Sequence, residues 1–248
     1  MRELPILFNT EMVQAILNGR KTCTRRVVKG YIPKEAEFGY TAFTPKGTIS
    51  CRGIFETDYP GYGEKFFKLP YQKGDVLYVR ETWGWCPCWD CGMDVVPDGC
   101  KHEKDRLYNN LKKEYGCYMY QASCEYNEYP SADTWHPSIH MPKKAARIWL
   151  KVTDVRVERL QEITDDGCIA EGVYPSPCRK CNATFGCDTC PDEGYYETDG
   201  FSRLWNSTIK KSVLDIYGWD ADPYVWVIEF ERFEKSGKEN SNETDRCR

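Results

Sequence analysis

Ile16-Leu17-Asn18-Gly19-Arg20-Lys21-Thr22-Cys23-Thr24-Arg25-Arg26 decides how this 248-residue chain begins to fold. Upstream of it, Met12, Val13, Ile16 and Leu17 fall on one face of a helix. Asn9 and Thr10 are its N-cap candidates, and Gly19 is its stop. Pro5 to Phe8 reads as a short strand before it, and Thr22 to Val28 as an extended segment after it. Two readings of Gly19-Arg20-Lys21 stay open. One is a solvated helix C-cap, whose cations the helix dipole favours. The other is the edge of a cleft into which Lys21 and Thr24 both point once the backbone turns.

Further along, residues 30–70 are rich in Gly, Pro and aromatics, as in hairpins and long loops. Gly74-Asp75 is a turn, and Val76 to Trp83 alternates as a strand does. Residues 86–116 carry many charges and cysteines and read as an insertion, with a strand expected at Tyr118–Ala122. Ala146 to Val157 is the clearest strand signal. Thr164 caps a helix over Asp165–Glu171, stopped by Gly172. A helix over Phe201–Ile209 and a strand over Tyr224–Phe233 close the fold. The pattern predicts one α+β, barrel-like domain over 1–233, with insertions at about 30–70, 86–145 and 174–199. Residues 234–248 are polar and charged, the composition of a disordered tail.

Lys and Arg total 34 against 38 Asp and Glu, a formal charge of −4, so a generally basic nucleic-acid coat is excluded while a local basic groove is not. No stretch approaches the ~20 apolar residues of a spanning helix, and the N-terminal apolar run is too short for a signal peptide. The expectation is a cytoplasmic protein with no membrane partner.

In a reducing compartment, clustered cysteines read first as metal ligands, and 14 cysteines are present. Cys178, Cys181, Cys187 and Cys190 form two C-x2-C knuckles, whose four thiolates suit a structural zinc ion. Cys86, Cys88, Cys91 and Cys100 form a less regular second candidate site. The alternative is that these are reduced or redox-active surface thiols.

The Gly19-Arg20-Lys21-Thr22-Cys23-Thr24 stretch resembles the G-R-K-T-x-T signature of the ASCH domain, a relative of the PUA RNA-binding barrel. Gly74-Asp75-Val76-Leu77, the strand 147–157 leading to Leu160 and the helix 164–171, and the strand Tyr224–Phe233 follow in the order that family implies. The whole is similar to stand-alone ASCH proteins carried by phages and prophages. The resemblance implies a small closed PUA-like β-barrel with short helices at its mouth, carrying two cysteine-rich insertions. It implies a cleft that handles RNA or modified nucleosides. One branch, the bacterial acetylcytidine amidohydrolases, uses a lysine, a threonine and a glutamate, which map to Lys21, Thr24 and Glu171.

An amide hydrolase needs a nucleophile, a base and oxyanion donors. Thr24 is the expected nucleophile, Lys21 its base, Glu171 the group that orients the lysine or relays its proton. Arg20, Arg25 and Arg26 are expected to hold phosphate or carbonyl oxygen. Tyr78, Trp83 and Trp85 near Arg80 offer stacking surfaces for bases, or ordinary barrel packing. Glu81 is a rival acid, or the partner of an arginine in the first motif. The function classes that remain are an amidohydrolase of acylated nucleosides, a ribonuclease, and a non-catalytic nucleic-acid-binding phage accessory protein.

Overall fold

The computed structural model describes residues 1–30, 32, 37–43, 49–56, 65–87, 107–109, 114–124, 134–173 and 197–234. β1 (Glu3–Leu7) leads into α1 (Thr10–Leu17), whose first turn is capped by the Asn9 side chain accepting from the Met12 amide at 2.8 Å. Val13, Ala15 and Ile16 are the buried face of α1. Gly19 follows at φ 72°, a left-handed stop that a side chain would strain. β2 (Cys23–Val27) comes next, then the hairpin strands β3 (Glu37–Phe43), β4 (Ile49–Glu56) and β5 (Lys65–Lys68).

β6 covers Val76–Arg80 and β7 covers Trp83–Pro87. The single strand expected over Val76–Trp83 is therefore broken at Glu81-Thr82, because the two halves pair into different sheets. β8 (Leu107–Asn109), β9 (Glu114–Tyr120), β10 (Trp149–Arg159) and β11 (Tyr224–Arg232) complete the strands. The helices after β10 are α2 (Asp165–Ala170), α3 (Glu197–Thr208) and α4 (Leu214–Tyr217).

Three sheets result, with strand orders β1-β6-β10-β11-β2, β3-β4-β5 and β7-β9-β8. This corrects the closed PUA-like β-barrel. The large sheet is open, with β1 at one edge and β2 at the other, and no closed barrel exists among the described residues. Closure needs a neighbour on both sides of every strand, and Pro5, which has no N–H, suits β1 to an edge. The strands β3, β4 and β5, and the strands β7, β8 and β9, pair among themselves rather than extending the large sheet.

The described residues pack as two compact units: those within Met1–Arg2, Asn18–Val76 and Lys151–Glu231 form one, and those within Glu3–Leu17, Leu77–Leu150 and Arg232–Arg248 the other. In the first, Leu160, Ile163, Cys168, Phe201, Trp205, Val225 and Val227 form an apolar cluster that seats α2 and α3 on β11. Burying side chains of this size contributes roughly 1.5–3 kcal/mol each. In the second, Tyr120, Met141 and Ala145 pack with Trp83 and Tyr118. Among the described residues, no helix is long and apolar enough to cross a membrane.

Candidate functional site

The segment after Gly19 is tied to the far end of α2. The Thr22 amide donates to the Ala170 carbonyl at 2.8 Å, and the Phe230 amide to the Thr22 carbonyl at 2.9 Å. α2 is itself well defined: Thr164 Oγ1 accepts from the Gly167 amide at 3.1 Å, and Gly172 stops the helix at φ 85°. Glu171 is therefore its C-cap. Arg20 Nη1 donates to the Gly172 carbonyl at 2.9 Å, and Lys21 Nζ to the Glu171 carbonyl at 2.8 Å. Cations do cap a helix C-terminus here, but it is that of α2 rather than of α1.

Lys21 Nζ also meets Glu171 Oε2 at 2.5 Å. Arg25 Nη1 reaches the other carboxylate oxygen at 3.4 Å, and Arg25 Nη2 reaches Glu158 at 3.1 Å. Lys21 is 2% exposed and Glu171 4%, so this is a buried, charge-assisted cluster. Arg25 also lies 6.0 Å over the Phe201 ring, and its Nε is buried without an acceptor. Thr24 is 1% exposed and sits opposite Ile228 of β11. Alternation along β2 sends Thr24 and Arg26 to the face opposite Cys23 and Arg25.

Charges around Glu171 act on their neighbours. The Cys23 thiol is pushed up to about 12, first by burial and then by the Glu171 carboxylate, with Arg25 and Lys21 opposing. Burial pulls the Arg26 guanidinium down, with Glu171 and Tyr71 pulling the other way. The Tyr71 phenol is raised by burial, against the influence of Arg26.

An open cleft of about 430 Å³ adjoins the cluster within the same unit. Arg25 lines it, together with Cys23, Arg156, Glu158, Asp166 and Glu229. Arg156 bonds Glu158 at 2.6 Å, Asp154 at 3.4 Å and also Glu229. Burial lowers the Arg156 guanidinium, and its bonds to Glu158 and Glu229 more than offset this and raise it. This arginine hub was not among the expected site residues. Its signal was present in Asp154-x-Arg156-x-Glu158, three charges on one face of a strand.

Other expected site residues belong elsewhere. Glu81 forms a bidentate pair with Arg147, at 3.0 and 2.9 Å, so its partner is not an arginine of the first motif. Arg147 also stacks 4.0 Å over Tyr120 and donates to Ser123 at 2.8 Å. Tyr78 packs on Trp149 and under Lys143. Trp83 packs between Tyr118 and His136, with its indole N–H buried and without an acceptor.

The structural zinc expectation is also corrected: among the described residues, no group of three or more His, Cys, Asp or Glu is placed to hold a metal. Cys86, the described member of the two expected sets, lies in a strand among Met119, Cys117, Cys124 and Trp135. Cys88, Cys91, Cys100, Cys178, Cys181, Cys187 and Cys190 lie outside the described residues, as does the expected tail from 235 onward. Compared with family models, curated proteins and solved structures, the chain matches none.

Proposed function

We propose that this chain is an ASCH-like protein that binds a modified nucleoside and hydrolyses an amide on its base. The observation that carries this reading is the buried 2.5 Å contact between Lys21 and Glu171, 150 residues apart in sequence. These are the lysine and glutamate that the ASCH resemblance pairs. Lys21 can hand a proton to Glu171 with no change in the net charge of the pair, which suits a proton relay in a dry site.

In the reaction, the oxygen of a water in the cleft bonds to the acyl carbon as the carbon–nitrogen bond of the amide breaks. One water proton passes through the Lys21–Glu171 pair to the departing amine, and the carboxylic acid is released. Thr24, buried on the opposite face of β2 and not lining the cleft, takes no part in the attack. Arg25 lines the cleft and holds Glu171, and its guanidinium is the donor there suited to the acyl oxygen. The cleft wall also favours a nucleoside over an RNA strand. Glu158, Glu162, Asp166 and Glu229 face Arg25 and Arg156 there, so phosphates meet more negative than positive charge.

Incubation with N4-acetylcytidine, followed by mass spectrometry for cytidine, tests this. Lys21→Ala should lose about 10²–10⁴-fold in turnover. Thr24→Ala, on the opposite face of β2, should keep turnover where it folds. Glu171→Gln should lose less. Wild-type protein that binds the nucleoside and never releases cytidine would remove the hydrolase and leave a binding module.

A further inference from the structure

β7 and β9 pair antiparallel with Cys86 directly opposite Cys117. Residues opposed in this way project from the same face, with Cβ atoms about 4.5–5.5 Å apart. A disulfide spans about 3.5–4.5 Å between Cβ atoms and joins Cα atoms about 4.4–6.8 Å apart. The strand register therefore places the two side chains on one face of neighbouring strands, and closing a disulfide draws their Cβ atoms together by about 1 Å. Both are thiols. They share one apolar cluster with Met119, Cys124 and Trp135, so neither points away from the other into solvent. Their accessibility differs: Cys86 is buried and Cys117 is half-buried.

We propose that Cys86 and Cys117 are a modification site, a dithiol that closes to a cross-strand disulfide by exchange with a small-molecule disulfide of the glutathione class. The half-buried Cys117 attacks first, since an incoming disulfide reaches it more readily than the buried Cys86. Its sulfur bonds to one sulfur of the small disulfide and expels a small thiolate. Cys86 then attacks the Cys117 sulfur of the mixed disulfide and expels the second thiolate. The protein loses two electrons and two protons, the small disulfide gains both, and two small thiols leave. The product staples β7 to β9 beside Trp83, Trp85 and Tyr118, whose rings pack against one another on these strands. The pair shares no residue with the Lys21–Glu171 cluster and stands whether or not that cluster is catalytic.

The test exposes the native full-length chain to oxidised glutathione, blocks remaining thiols with iodoacetamide, and maps peptides by mass spectrometry before and after reduction. The expected result is a peptide pair joined through Cys86 and Cys117, released by reductant. Cys86→Ser should leave Cys117 as the glutathione adduct, since the resolving thiol is gone. Cys124→Ser should leave the Cys86–Cys117 link intact. The proposal is overturned if Cys117 accumulates as a stable glutathione adduct in the wild type, if both cysteines remain fully alkylated, or if Cys117 links to Cys124 instead. The wild-type map decides the matter even if a serine variant fails to fold.

Discussion

Cys23 lies beside Lys21, Arg25 and Glu171, and burial together with Glu171 holds its thiol up at about 12, against an ordinary 9.0. Between these values the folded chain keeps a proton that the unfolded chain releases. Cys23 therefore stabilises the fold in full below about pH 9, and that contribution is lost as pH rises through about 12. At pH 8 native Cys23 should resist iodoacetamide and react once the chain is unfolded in urea; labelling at equal rates in both states would contradict the burial. Glu81 tests a different residue-scale feature. Glu81→Gln leaves Arg147 with its charge and without its carboxylate, and should cost about 3–5 kcal/mol by urea unfolding, since one partner of a buried pair stays uncompensated. Turnover at the Lys21 site should survive under conditions where the variant is folded. The residue types at both places were legible in the sequence; the partners were not. Arg147 and Glu81 are 66 positions apart, and no local pattern joins them.

At the scale of elements, α2 matters most, because its C-terminus carries Glu171 and receives Arg20 and Lys21. Thr164→Ala removes the Oγ1 acceptor of the Gly167 amide and should cost about 1 kcal/mol. For a chain of this size the melting temperature should fall by about 2–4 °C. A drop several times larger would mean that Thr164 does more than cap. Caps were readable in advance: Asn9 before α1, Thr164 before α2, and the glycines after both helices all act within a few residues, so local sequence carries the signal. The strand expected over Val76–Trp83 was misjudged for the opposite reason. Alternation continues past Arg80 to the inward-facing Glu81, but β6 ends at Arg80 and Trp83 begins a strand of another sheet, a choice of partners no local pattern shows.

Over the whole molecule, the net charge of −4 and the carboxylates of the cleft act in the same direction. Single-stranded RNA should bind weakly, while binding of an uncharged nucleoside should change little with salt, because it releases no counterions. Fluorescence anisotropy with a short RNA and calorimetry with the nucleoside, each at two salt concentrations, measure this. Tight RNA binding that Arg25→Ala abolishes would reverse the order of preference. The sequence by itself determined what acts over short distances: helix faces, caps, the strands of β10 and β11, the exclusion of a basic coat, and the choice of Lys21 and Glu171 as residues to watch. Tertiary structure alone decided that the large sheet stays open and that Lys21 meets Glu171. It also decided that Arg156 gathers three carboxylates and that Cys86 faces Cys117. Each of these depends on which distant segments pair, and pairing is set by the packing of the whole chain, where side chains far apart in sequence compete for the same neighbours.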